Sequence, residues 1–395
     1  MAGVITSLLT AWALGAEGRG DFAIIVLYPN IVALAVGLGM PQATRYFIAS
    51  EPKKLPSLFS NAVCFALLMG VLGYIGSIFI VPLLIGHRSE AVMWLVRAYL
   101  INIPFALLYD MMAGLLEGSR RFKLAALSRV TFFGIQCVGY LLLWLTGHLT
   151  IANAALTMVL AQLANTSTAF LSVLLVLKPG WKPNFRTFKE TLVFGLKYHA
   201  GVVTSFTTLR LDQIMLGGMA TSLEMGLYVI AVRLSEIMTV LASSLSEVLM
   251  PEVAASKGER SMQVLMRSLR QTLYVYLLMI VPLLVAAPLI LRYAFGSEFL
   301  EASSSRRILI VASMVWSAGS IINSGLNGLG FPGLSTLSRL ASAMITVITL
   351  LVWLPRFGII GAAMSSLAGY TDARRRSVLV NAEKETFLTG DLLAA

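Results

Sequence analysis

The sequence predicts an all-α integral membrane protein of about twelve transmembrane helices in two pseudo-symmetric six-helix bundles. Three observations carry that prediction. Of 395 residues, 57% are hydrophobic and only 12% charged, about half the charged share of a soluble chain. Apolar runs recur along the whole length, most of them long enough to cross a hydrocarbon core of about 30 Å as tilted helices. The chain also repeats itself at offsets between 206 and 210 residues.

The apolar runs fall at about 1–14, 22–46, 58–85, 91–116, 125–147 and 151–177, then at about 192–219, 223–250, 268–293, 306–329, 333–354 and 357–370. The first and last have only about fourteen residues, roughly 21 Å of helix, too short to cross alone. They are either half-spans or runs cut short. Pro29, Pro41, Pro104, Pro282 and Pro288 interrupt spans, where a kink is tolerated if neighbours satisfy the freed backbone groups.

Orientation follows from the asymmetry of basic residues. Alternate breaks hold Arg45, Lys53 and Lys54; Arg120, Arg121, Lys123 and Arg129; Lys178, Lys182, Arg186, Lys189 and Lys197; Lys257, Arg260, Arg267 and Arg270; Arg339 and Arg374, Arg375 and Arg376. The opposite breaks hold Arg19, Arg88, Arg292, Arg306, Arg307 and Arg356. Twenty against six places both termini in the cytoplasm, as an even span count requires. The expected location is the bacterial cytoplasmic (inner) membrane. The same asymmetry explains the net charge of +11 without nucleic acid, since no polar stretch is long enough to form a nucleic-acid-binding domain.

In the repeat, Gly20–Ser50 lies over Gly226–Ser256, then Gly118 together with Leu127-Ser128-Arg129 over Gly328 with Leu337-Ser338-Arg339, then Ile151 with Ala154-Ala155 over Ile359 with Ala362-Ala363. Three matches in one order at nearly one offset indicate duplicated halves. The expected organisation is an N-terminal bundle over 1–185, a C-terminal bundle over 186–370 and a polar cytoplasmic tail over 371–395, with a linker around Lys178–Glu190. Halves with an even number of spans share one orientation and can rock about a central cavity.

Ionisable residues within spans are costly and therefore candidate site residues. The fourth span carries Arg97 and Asp110, the seventh Arg210 and Asp212, the eighth Arg233, Glu236 and Glu247. Arg233 and Glu236, three residues apart, share a helical face and can pair. Arg210 and Asp212 point about 200° apart and must meet different neighbours, one the cavity and one a helix interface. Arg97, Arg210 and Arg233 suit a pyrophosphate head group, because guanidinium binds phosphate bidentately and stays charged. Internal pairing that fixes helix packing is the competing reading. Asn102, Gln162, Asn165, Asn323 and Asn327 offer hydrogen bonds to sugar hydroxyls, or join helices to one another.

Enzymes are disfavoured. No break exceeds about twenty residues, and no Walker loop, dinucleotide fingerprint or nucleophile elbow occurs. Cys64 and Cys137 read as small buried hydrophobes, and His87, His148 and His199 are isolated, so no metal, cofactor or disulfide framework is expected. No removable signal peptide is expected either.

Several segments resemble a known family. Leu14–Gly20, Arg210–Gly217 followed by Glu224–Tyr228, the run Arg233–Glu236, Met250-Pro251-Glu252, Phe295–Phe299 and Gly358–Ala363 are similar to the polysaccharide flippase family of the multidrug/oligosaccharidyl-lipid/polysaccharide exporter superfamily. The resemblance covers nearly the whole chain. It implies a V-shaped pair of six-helix bundles that moves an undecaprenyl-pyrophosphate-linked oligosaccharide to the outer leaflet, with cavity arginines, here Arg210 and Arg233, on the pyrophosphate. The partners it implies are the lipid-linked oligosaccharide, membrane lipids and membrane proteins of glycan assembly. The pattern stops after Tyr370, where eight of twenty-five residues are charged. The alternatives are a flippase for a peptidoglycan lipid precursor, a drug/cation antiporter of the same superfamily, which three intramembrane arginines disfavour, and a non-transporting accessory protein.

Overall fold

A computed structural model describes residues 2–85, 88–256, 259–329 and 332–392. His87, Lys257 and the last three residues of the expected tail lie outside the described residues, as do the side chains of Glu247 and Arg374 to Arg376. Among the described residues every regular element is helical. The α-helices run α1 (Ala2–Val36), α2 (Met40–Ser50), α3 (Leu55–Ile85), α4 (Glu90–Tyr99), α5 (Asn102–Gly118), α6 (Phe122–Leu145), α7 (Ile151–Ser172), α8 (Phe185–Met219), α9 (Ser222–Ala255), α10 (Glu259–Ile290), α11 (Ser303–Gly328) and α12 (Pro332–Leu392).

Divided as follows, the described helices form twelve successive helical stretches, in keeping with the span count expected from the sequence. α1 is two limbs that turn at Gly15, and α12 is two limbs that turn at Gly358. Both glycines have positive φ, +66° and +54°, a region L side chains enter only at a cost. The Leu14–Gly20 segment therefore turns at Gly15 between two helical limbs. Within α12 the limbs return on each other, since Ser342 Oγ donates to the Gly369 carbonyl at 2.8 Å. The second span combines the later limb of α1 with α2, and the fourth combines α4 with α5. Pro41 and Pro104 stand at the first turns of α2 and α5, where a missing N–H costs nothing; Pro29, Pro282 and Pro288 lie inside helices.

The repeat extends to element boundaries. α5 ends at Gly118 and α11 at Gly328; α6 opens at Phe122 and α12 at Pro332; α7 opens at Ile151, and the later limb of α12 follows Gly358. The backbone of α12 stays helical through 371–392, beyond the apolar stretch that ends at Thr371 and over the polar segment expected as a tail.

Eight helical stretches among the described residues are long and apolar enough to cross a membrane by length and composition. The apolar outer faces agree with a lipid surround: Leu83 is 84% and Leu278 77% exposed, which water would penalise heavily. Cys64 is also exposed and Cys137 half-buried. The expected burial of Cys64 is thus corrected: its thiol faces the same surround as its leucine neighbours, and a weakly polar group is tolerated there.

Contacts divide the chain into two compact units, Met1–Val203 and Thr204–Ala395, with the division inside α8. The linker and the start of α8 belong to the first unit for identifiable reasons. The Asn61 side chain both donates to the Asn184 carbonyl (2.9 Å) and accepts from its N–H (3.2 Å). Lys182 N–H donates to Ser60 Oγ, Lys54 pairs with Glu190 at 2.8 Å, and Phe194 stacks on Tyr46. Gly195 lies directly against Gly39, where any side chain would strike backbone. The first unit's core joins α2, α3, α5 and α7 through Ile48, Leu58, Phe65, Met111, Leu115 and Ala169. At one end of it Glu117 bridges Arg45 and Arg129, tying α2, α5 and α6. In the second unit, Leu249, Val253, Leu265 and Ile321 form one core cluster, and Tyr276 packs on Ala242 in another.

Candidate functional site

The charged groups of α8 and α9 sort into two clusters within the second unit. In the first, Glu236 accepts from two guanidinium groups. Arg210 Nη2 lies 2.7 Å from Glu236 Oε1, and Arg233 Nη1 lies 2.9 Å from Glu236 Oε2. The Arg233–Glu236 contact is the one-turn pair on α9 that the spacing of three residues predicts. Arg210 reaches the same carboxylate from α8, so one acidic group joins two helices. None of the three is sealed off: the side chains of Arg210, Glu236 and Arg233 are 28%, 24% and 50% exposed. Arg233, the most exposed, commits one terminal nitrogen to the pair, and a guanidinium has five N–H donors.

The second cluster is closed. Asp212 is 4% exposed and accepts from Tyr228 Oη at 2.5 Å, from Ser366 Oγ at 3.1 Å and from the Gln213 N–H at 2.7 Å. It joins α8, α9 and the later limb of α12. The two residues of the Arg210-x-Asp212 run thus diverge as their 200° separation requires: the aspartate enters a helix interface, and the arginine stays at a partly open surface. Two tyrosines border the aspartate cluster. Tyr228 is fully buried, and Tyr370 packs on Trp316 with ring centres 5.0 Å apart.

Asn323 is buried on α11 and lines a small cleft with Trp316, Ser320, Arg339, Ser342 and Tyr370. The cleft holds about 20 Å³, room for roughly one water and too small for a sugar. Asn327, one turn further on, is half-buried and outside that lining. Arg97 occupies the last turn of α4 in the first unit and is exposed. Asp110 is exposed on α5. Asn102, Gln162 and Asn165 are all buried in the first unit. Asn102 donates to Tyr99 Oη at 3.5 Å, Gln162 to Thr166 Oγ1 at 3.3 Å, and Thr166 in turn to the Phe105 carbonyl on α5 at 3.0 Å. The Thr166 bond links α7 to α5. No group of three or more His, Cys, Asp or Glu that could hold a metal occurs among the described residues.

Sequence reasoning missed Tyr228 and Ser366 as the partners of Asp212. A tyrosine and a serine in apolar helices carry no periodic signal, and only tertiary packing brings them together.

Comparison with known proteins agrees with this architecture. The probable low-salt glycan biosynthesis flippase Agl15 of Haloferax volcanii is 23% identical over 90% of this chain and 75% of its own length. An uncharacterized membrane protein of Methanocaldococcus jannaschii is 22% identical over 91% of this chain and 88% of its own. Among solved structures, an inward-facing multidrug resistance MATE transporter of the MOP superfamily superposes with a TM-score of 0.81 at 17% identity, over 98% of this chain and 95% of that one. Lipid II flippase MurJ in an inward closed conformation superposes with a TM-score of 0.81 at 16% identity, over 96% and 84%. Identities this low establish the fold. The family model described as polysaccharide biosynthesis protein matches residues 14–304, well over half of the chain, and this multi-pass membrane protein belongs to that family.

Proposed function

We propose that the protein is a flippase that moves a polyprenyl-pyrophosphate-linked oligosaccharide from the inner to the outer leaflet by alternating access, for cell-surface polysaccharide synthesis. It is a transporter and not an enzyme, sits in the cytoplasmic membrane with both termini cytoplasmic, and uses Arg210 and Arg233 to hold the pyrophosphate. The observation that carries this reading is the sharing of Glu236 by two guanidinium groups on spanning helices. One carboxylate cannot neutralise both. The partly exposed cluster keeps a positive surplus in an environment that penalises charge, and an anion is the ligand that relieves it. A cationic drug would be repelled. Family membership and the glycan flippase name of the Haloferax relative support the same class of substrate. Asp212, held by three donors, positions α8 and does not touch the ligand.

The test is reconstitution of the intact chain in proteoliposomes with a fluorescent polyprenyl-pyrophosphate oligosaccharide, reading its leaflet exchange, beside a parallel assay of cationic dye efflux under an ion gradient. Exchange of the lipid-linked sugar without dye efflux supports the proposal. Dye efflux without sugar exchange replaces it with a cation antiporter, and movement of neither replaces it with a non-transporting protein.

A further inference from the structure

Arg306 stands one turn into α11, where the charge asymmetry of the sequence places the external side. It is 0% exposed, the bulkiest of the fully buried side chains. None of its three guanidinium nitrogens has a hydrogen-bond partner. The acidic residues of the preceding turn, Glu298 and Glu301, are exposed and do not bond to it. A buried cation without a partner is strongly unfavourable, and arginine cannot shed its proton to escape. The position compounds the problem. The first turn of a helix carries partial positive charge and favours anions, yet Arg306 closes that turn and Arg307 follows it.

The internal repeat shows that the fold does not need this charge. At the offset of 210 that superposes Gly118 on Gly328, Arg306 falls on Val96. Val96 is also 0% exposed, so the first unit fills the matching buried position with an apolar residue. The unpartnered guanidinium and the helix N-terminus lack the same thing, a counter-anion. A guanidinium fork matches phosphate geometry, and helix N-terminal amides bind phosphate.

We infer that Arg306 and the N-terminal turn of α11 form a phosphate-binding site on the external side of the second unit. Its occupant is a phosphate group, supplied either by a phospholipid head group of the outer leaflet or by soluble phosphate. The turn Ser297–Ala302, which packs on α9 and α11 and is anchored by fully buried Phe299, shifts to admit it. The site is separate from the Glu236 cluster and does not depend on the flippase reading.

The experiment follows thermal unfolding of the full chain in nanodiscs, for the native protein and for Arg306→Met, Arg306→Lys and Arg307→Met. One arm adds inorganic phosphate against chloride at matched ionic strength in zwitterionic lipid. The other raises phosphatidylglycerol content without added phosphate, with native mass spectrometry counting retained phospholipid. A rise of roughly 2–4 °C at saturation, absent in Arg306→Met, reduced in Arg306→Lys and kept in Arg307→Met, supports the site. The arm that responds identifies the source of the phosphate. Arg306→Met is also expected to be at least as stable as the native protein without anion, because the uncompensated charge is gone. A native protein that responds in neither arm, or an Arg306→Met variant that responds as fully as the native, overturns the inference.

Discussion

Glu236→Gln removes the carboxylate charge while keeping its shape and hydrogen-bonding reach, so it isolates the electrostatic part of the shared pair. The structure sets the size of the effect. At about 4 Å between charge centres and an effective dielectric near 20, each pair has a Coulomb energy of about 4 kcal/mol before desolvation. Most of that is offset, because the side chains are 24% to 50% exposed and water screens them. The Arg233 pair is half exposed and local to one helix, worth about 0.3–0.5 kcal/mol. The Arg210 pair joins α8 to α9 at lower exposure and should contribute about 1–2 kcal/mol. Glu236→Gln should therefore destabilise the folded protein by about 2 kcal/mol. Two double-mutant cycles, with Arg210→Met and with Arg233→Met, measured by denaturant unfolding in lipid nanodiscs, apportion that loss. The larger coupling should fall on Arg210, and both should shrink as salt rises. A Glu236→Gln protein as stable as the native, with couplings below about 0.3 kcal/mol in both cycles, would refute the shared pair as a link between α8 and α9.

Further expectations concern other parts of the fold. Gly39→Ala drives a Cβ into the Gly195 carbonyl oxygen at a φ of +70°, and should cost about 2–4 kcal/mol or abolish folded yield; Gly76→Ala, with nothing within 4 Å, should be neutral or mildly stabilising. Tyr228→Phe removes the 2.5 Å bond to Asp212 and should lose about 1–3 kcal/mol by leaving a buried acceptor short of a donor, with a smaller loss for Ser366→Ala in the same unfolding assay. The hydrogen bond from Lys54, followed by that from Arg186, holds the Glu190 carboxyl below the usual carboxylate range. A group depressed in this way adds stability above its unfolded pKa and loses it as pH falls through the folded value. Acid unfolding of Glu190→Gln should therefore lack part of the steepness of the native curve at the acid end, and coincident curves would count against the Lys54–Glu190 link.

The spans, their number and the duplication were legible because each rests on many residues acting alike: lipid-facing leucines repeat, and Gly118 and Gly328 close equivalent helices. The pairing of Arg233 with Glu236 was legible because it is local to one turn. The neighbours of Arg210 were not, because the chain separation from Glu236 is bridged only by packing of α8 on α9. The breaks near Gly15 and Gly358 were legible as gaps between apolar runs, but not as turns centred on one residue, since hydropathy carries no information on φ. Arg306 was read as a loop residue because charge near a span end ordinarily marks a loop, and only coordinates show it buried. The contact division falls inside α8, past the lysine-rich linker where composition changes. Contacts of Asn61, Lys54 and Gly39 hold that linker and the first turns of α8 to the first unit, and such contacts leave no trace in composition.

The most direct test of the central claim is leaflet exchange of the lipid-linked oligosaccharide in proteoliposomes, comparing the intact chain with Arg210→Ala and Arg233→Ala and with Arg97→Ala as the control outside the cluster. Loss of exchange of about tenfold or more in the first two, equivalent to about 1.4 kcal/mol or more of binding, with folding intact and Arg97→Ala near native, is the predicted result. Native rates of exchange in Arg210→Ala and Arg233→Ala would show that the guanidinium groups sharing Glu236 serve packing alone and that the pyrophosphate is held elsewhere.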